Sequence, residues 1–335
     1  MPPIDSNPVH SESAHALATR PGQSPTIDRR RWIASLSAAI LAAQAWSPLA
    51  DNRLPANETD QSDFRFRFLL GSSLYGYARL DQIVPQVRAA GATAIDIWPK
   101  VHGNQREQLD ELGEAAFAEL LARADITLGC ITQYKLGPFG LRDEMRLAQR
   151  LGCRSIVTGA VGPRDLSGAE LKSAIVDFVE KLKPHLAVAE ETGVTIAIEN
   201  HAGNLIWSPD AICWLADLRP SNHLAVALAP YHLDQDPELI AGLIRSLGDR
   251  MAVFYAWQHG NGSMTAQPKE AERLQLPGRG DLDFGPIVRA LRETDYRGWT
   301  EVFMHSYPRG TAVDDDLGIV TAEIKRGADY LQSLI

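Results

Sequence analysis

The chain has 335 residues, 45% hydrophobic and 22% charged, with a formal net charge of −9. This is ordinary globular composition, with room for one large domain or two small ones. An acidic balance speaks against a protein that grips a phosphate backbone, because such a protein needs a basic face. No nucleic-acid partner is expected.

Residues 1–27 are polar and rich in Ser, Pro and Ala, and are not expected to join the fold. "DRRRWIASLSAAILAAQAW" follows. Arg29, Arg30 and Arg31 precede Trp32 and Ile33, then comes a weakly apolar run, then Ala43-Gln44-Ala45. A basic start, an apolar middle and a small-x-small site make an export leader. The arginine pair before an aromatic and an aliphatic residue resembles a twin-arginine signal. The run is too short to span a bilayer comfortably, so the membrane is expected only as a barrier crossed in export. The expected organisation is a signal segment at 1–45, a linker at 46–64 and a folded domain at 65–335, in a periplasmic or other extracytoplasmic protein. Cys130, Cys153 and Cys213 are odd in number and lack short spacing, which argues against a disulfide framework or a zinc cluster. Buried free thiols are expected.

From about residue 65 the chain alternates. β-like runs occur at 66–72, 92–98, 126–132, 153–159, 194–200, 224–229, 251–257 and 298–304, with helix-patterned runs between them. "LDQIVPQVRAAG" ends on a cap-like Gly91, and "REQLDELGEAAFAELLARA" has helical spacing. Ser167-x-x-Glu170 reads as a capping box before a helix that closes on Gly193. Ser208-Pro209 and Asp236-Pro237 place an N-cap before a proline. Eight strand–helix units imply parallel strands with crossover helices, and over about 270 residues they match an α/β fold of the (β/α)8 TIM-barrel type. A doubly wound open sheet would want a Gly-x-Gly-x-x-Gly turn after the first strand. "GSSLYGYARL" does not supply it, and no nucleotide cofactor is expected.

In such a barrel, chemistry belongs where the strands end. There are nine histidines, and His102, His201, His232, His259 and His305 all follow a β run within a few residues. Glu199 closes the fifth run and Glu301 lies in the eighth, both among apolar neighbours. A buried carboxylate is normally paired, metal-bound or functional. Asp96 is a third such acid. Nearby stand Trp98, Lys100, Gln133, Tyr134, Tyr255, Trp257 and Gln258, aromatic faces and polar groups of the kind that hold a sugar. Arg309 suits an anionic group. The polar, glycine-rich stretch 259–277 has the length of a lid.

The pattern "IAIENH…PYH…PGRGDLDF…YRGWTEV" resembles the xylose isomerase-like TIM-barrel proteins, the sugar phosphate isomerase/epimerase group, over about residues 66–334. The resemblance implies one divalent metal (manganese, magnesium or zinc) held by Glu, Asp, His and Glu from strands five to eight, with the two glutamates moving a proton of the substrate. Glu199 and Glu301 match the glutamates. The Asp falls at Ala229, with His232 three residues later, and the strand-seven His falls near Tyr255. Two of the four ligands are therefore missing, and two carboxylates alone hold such an ion weakly. Three readings follow: a rebuilt set of Glu199, Glu301 and His232 or His259; a metal-free site in which Glu199, Glu301, Lys100 and the histidines do acid–base chemistry on a sugar; or a non-catalytic sugar-binding protein. The expected activity is isomerisation or epimerisation of a small carbohydrate by proton transfer next to a carbonyl, with β-elimination from a keto-glycoside by a lyase or hydratase as the alternative. Trp98, His102, Gln133, His201, Trp257, Gln258, His259, His305 and Arg309 are expected to line the substrate.

Overall fold

The computed structural model describes residues 64–262 and 268–335. The expected signal segment and almost all of the expected linker lie outside the described residues. Among those residues no helix is long and apolar enough to cross a membrane.

Eight parallel strands close into a barrel in chain order. They are β1 (Arg67–Gly71), β2 (Ala94–Ile97), β3 (Thr127–Thr132), β4 (Ser155–Gly159), β5 (Thr195–Glu199), β6 (Leu224–Leu228), β7 (Met251–Ala256) and β8 (Trp299–Val302). The helices are α1 (Leu80–Ile83), α2 (Gln86–Ala89), α3 (Gln105–Leu112), α4 (Glu114–Arg123), α5 (Arg142–Arg150), α6 (Gly168–Thr192), α7 (Pro209–Leu218), α8 (Pro237–Leu247), α9 (Phe284–Glu293) and α10 (Leu317–Gln332). Strands so enclosed are apolar on both faces, as in the wholly buried β6.

Local chemistry explains several boundaries. Asp236 accepts from the backbone N–H groups of Glu238 and Leu239 at 3.0 and 3.3 Å, and Ser208 accepts from Ala211 at 3.2 Å. Gly193 ends α6 in the left-handed conformation. Three expectations fail. The run after β1 breaks around Pro85 into α1 and α2, since proline lacks the N–H and crowds the preceding turn. The run after β2 breaks at Gly113 into α3 and α4. Ser167 does precede α6, but its side chain makes no cap hydrogen bond.

The Pro277–Asp281 turn locks the β7–α9 connection onto the barrel. The Gln258 carbonyl backs against Gly280, where any side chain would collide with it and with the Leu274 carbonyl. Gly280→Ala is expected to lower stability by about 1–3 kcal/mol, the usual cost of forced overpacking. Urea unfolding of the variant against the parent measures this.

Candidate active site at the barrel mouth

Three acids end or nearly end their strands, and all are buried: Asp96, Glu199 and Glu301. Gly71 makes room for one of them, because a Cβ there would strike the Glu301 carboxyl. Glu199 is held by phenols. Tyr231 donates to its Oε1 at 2.8 Å and Tyr134 donates to its Oε2. Burial raises the Glu199 pKa, and the Tyr134 and Tyr231 hydroxyls oppose the rise by favouring the ionised form.

Glu301 differs. Neither of its oxygens accepts a hydrogen bond from a protein donor among the described residues. Its carboxyl instead lies beside that of Asp96, whose charge favours the protonated form of Glu301. Burial, then the charge of Asp96, pushes the Glu301 pKa well above the ordinary value. Burial carries Asp96 up to about 7, against the hydrogen bonds it accepts from the Thr132 N–H at 2.9 Å and the Thr132 hydroxyl at 2.6 Å. The Trp98 indole N–H lies beside both carboxyls and lowers both pKa values, short of full hydrogen-bond geometry.

Rings pack over these acids. Phe303 stacks on Trp98 and Tyr231, with centroids 5.3 and 5.2 Å apart, and meets Tyr255 at 5.1 Å. The histidines ring this plate. His201 and His232 lie 3.9 Å apart, His102 and His305 lie 5.6 Å apart, and Tyr231 meets His305 edge-on at 5.1 Å. His232 Nε2 is 4.0 Å from Glu199 Oε1. Burial lowers His232 to about 3 and His102 to about 4, and takes His305 well down, with Arg309 adding to each. These three imidazoles are neutral near pH 7.

Most of the expected site residues are thus brought together, with exceptions. Lys100 is exposed, and among the described residues its ammonium makes no ion pair or hydrogen bond; only its backbone N–H is engaged, by Glu107. Gln258 is structural: both amide donors are spent, on the Leu282 carbonyl and the Tyr330 hydroxyl, and its oxygen accepts from Gly278. Trp257 is buried and donates to Gln275 Oε1 at 2.9 Å. His259 is buried beside Trp257, with Nδ1 3.0 Å from the Asn261 amide. Gln133 is buried, with an Oε1 that has no partner among the described residues, and Arg309 is exposed in the loop after β8. Sequence reasoning undervalued Tyr231, Tyr134 and Tyr255. Their signal was position alone: each stands at or just past a strand end.

The donors present do not fit a divalent ion, which wants about six oxygen or nitrogen ligands. Ala229 contributes a methyl group, and its N–H and carbonyl are both taken by the Asn200 amide, at 2.7 and 2.9 Å. Tyr255 contributes a phenol. Glu199 faces two hydroxyl donors, and Glu301 faces Asp96. Among the described residues no three His, Cys, Asp or Glu side chains are placed to hold a metal, so Glu199, Glu301 and His232 do not form the rebuilt set. Dialysis against a chelator is therefore expected to leave thermal midpoint and turnover unchanged. A stoichiometric ion in protein purified without chelator overturns this.

An eight-stranded barrel with acids gathered where its strands end defines a class of proteins that work at that face. The chain belongs to the xylose isomerase-like TIM-barrel family, whose model matches residues 84–333. Among solved structures it is similar to D-psicose 3-epimerase with D-tagatose from Clostridium cellulolyticum H10, at 16% identity and a TM-score of 0.62, over 80% of this chain and 99% of that one. It is also similar to the IolI protein with a bound zinc atom, at 15% identity and 0.63, over 81% and 99%. A third is the probable 3-DHS dehydratase AsbF of Bacillus anthracis, at 13% and 0.59, over 78% and 98%. No protein of curated function matches.

The acid pair also sets a pH dependence. Asp96 binds its proton up to about pH 7 in the folded chain, against an ordinary value of 3.8. Between these values the folded state holds more protons than the unfolded one, so stability falls as pH rises. The contribution is complete below the ordinary value and is lost on passing about 7. Asp96→Asn is expected to flatten this fall, read as urea midpoints from about pH 4 to pH 8.

Proposed function

We propose that the chain is a carbohydrate-active isomerase or epimerase that moves a proton next to a carbonyl without a metal at this centre. The observation that carries this reading is the contrast between its two glutamates. One carboxylate stabilised by hydroxyl donors and one carboxyl kept protonated by burial and a neighbouring acid make a base and an acid in one site. Glu199, oriented by Tyr134 and Tyr231, takes the proton from the carbon beside the carbonyl. Glu301, whose protonated form Asp96 favours, delivers one. The Tyr255 hydroxyl has no partner among the described residues, and burial keeps it protonated. It is the donor for the developing oxyanion.

Several further atoms favour a polyhydroxylated ligand. Buried side-chain atoms without a partner collect at this end of the barrel: Ser73 Oγ, Trp98 Nε1, Gln133 Oε1, Tyr255 OH and His305 Nδ1. Buried polar groups are normally satisfied, and a cluster of exceptions marks where a polar ligand would supply the missing bonds. Family membership and neighbours titled epimerase and dehydratase support the same class of chemistry. An exported location favours free sugars or glycosides as substrates.

Glu199 and Glu301 are 2% and 0% exposed. Exchange in deuterated water against a panel of ketoses and keto-glycosides tests the reading by nuclear magnetic resonance. Deuterium is expected on the carbon beside the carbonyl. Glu199→Gln and Glu301→Gln are each expected to lower exchange by about 10²–10⁴-fold. Unchanged exchange in both variants sinks the acid-pair mechanism. A product absorbing in the ultraviolet identifies elimination, and sugar-dependent stabilisation without exchange identifies a binding protein.

A further inference from the structure

We propose that the end of the barrel opposite the candidate active site holds a second site, which takes a small organic dianion, a phosphate ester or a dicarboxylate. It lies apart from the buried acids and does not depend on their chemistry.

Arg67, Thr127, Ser155 and Trp299 are the first residues of β1, β3, β4 and β8, and all four line one open hollow of about 900 Å³. Strand starts mark the face away from the acids, which stand where strands end. The volume falls in the range of small-molecule sites, about 300–1,000 Å³. Gly129 lets Trp299 reach across the barrel, since a Cβ there would stand 3.2 Å from the indole Cε2. Arg67 lies opposite Trp299 in the β1–β8 pairing. Its guanidinium carbon is 4.2 Å from the Trp299 ring centroid, and its Nη1 donates to the Arg297 carbonyl at 2.8 Å. The ring and the carbonyl together fix this cation at the hollow. Arg154, the residue before β4, lines the same hollow, and its hydrogen bond to the Gly193 carbonyl is long, at 3.4 Å.

Charge at this hollow is unbalanced. Arg67, Arg88 and Arg154 line it against a single carboxylate, Asp125, and Arg88 pairs with that at 2.5 Å. Among the described residues neither Arg67 nor Arg154 pairs with a carboxylate. The chain as a whole carries −9, so this positive charge is local and not a share of a basic surface. Two guanidinium groups without a counter-ion match two negative charges, and a phosphate or carboxylate oxygen pair suits their planar forks. The hydroxyls of Thr127 and Ser155 line the hollow without a hydrogen-bond partner among the described residues, and add neutral donors for the rest of the ligand.

Calorimetric titration with D-glucose 6-phosphate and with succinate tests this, at about 0.15 M salt so that diffuse attraction is screened. At least one of the two is expected to bind; the first assigns a phosphate ester and the second a dicarboxylate. Arg154→Gln is expected to weaken that binding by about tenfold or more, the usual loss of a charge-assisted contact. Arg154→Lys is expected to restore part of it, since charge returns without the fork. Arg67→Gln with Arg154→Gln is expected to abolish it. Arg146→Gln, on the exposed face of α5 and outside the hollow, is expected to leave it unchanged. Arg154 is exposed and makes one long bond, so its variants are expected to keep the parent's thermal midpoint, and they decide the matter alone where the double variant fails to fold. No binding of either dianion overturns the inference. So does binding that survives Arg154→Gln, which places the ligand elsewhere, or binding that Arg146→Gln weakens as much, which reduces it to general charge.

Discussion

Everything at the barrel mouth follows from taking three carboxyl groups out of water. An isolated buried carboxylate is so costly that a fold must give it donors or a proton. This chain does both, at different strands. Glu199 receives two tyrosine hydroxyls, and Glu301 has a second acid beside it that favours its protonated form. The strand pairing makes this possible. Gly71 stands opposite Asp96 in the β1–β2 pairing, and Leu69 stands opposite Glu301 in the β1–β8 pairing. A strand ending in glycine between two acid-bearing neighbours leaves room for the Glu301 carboxyl.

Side-chain amides then hold the loops above these acids in place. Asn200 ties the end of β5 to the first residue after β6 through two hydrogen bonds to Ala229. Gln258 joins the residues after β7 to the Pro277–Asp281 turn and to α10. Gln275 joins Trp257 to the residues after β8. An amide suits this work because it carries donors and an acceptor without a charge that burial would penalise. It can therefore satisfy backbone groups next to buried acids without shifting their protonation as a lysine or an arginine would.

The barrel was legible because alternation is a repeated signal, and eight strand–helix units leave few other folds. The acids were legible because a charged residue inside an apolar run is conspicuous. Helix breaks at Pro85 and Gly113 were misread because apolar spacing continued across them. Gln258 was misread as a substrate contact because composition cannot say which neighbour an amide will find. The tyrosines were undervalued for a related reason. Only the closed barrel shows Tyr134 and Tyr231, each just past a different strand, reaching one carboxylate. The Asp96–Glu301 contact joins residues 205 positions apart, as their numbering shows, and no local pattern encodes it.

Ala229 and Tyr255, which stand where the family resemblance implies metal ligands, bear on the site together. A metal centre in this position would draw its strength from ionised ligands converging on a cation. With an alanine on one strand and a tyrosine on the next, that convergence is gone, and two glutamates left facing each other would repel. The arrangement observed removes the repulsion by other means. Phenols neutralise the need of Glu199 for donors, and Asp96 lets Glu301 remain uncharged. Tyr255 occupies the core of the ring plate, meeting Tyr231 at 6.1 Å and Phe303 at 5.1 Å, so its bulk fills space that a smaller ligand residue would leave. A neutral hydroxyl is a weaker electrophile than a cation in water. In a site from which water is excluded, a fixed hydroxyl dipole gains strength, because no solvent screens it and none must reorganise as charge develops. Under the proposed function, the same burial that makes the acids costly is what makes a phenol adequate, and the site's chemistry and its stability draw on one physical source.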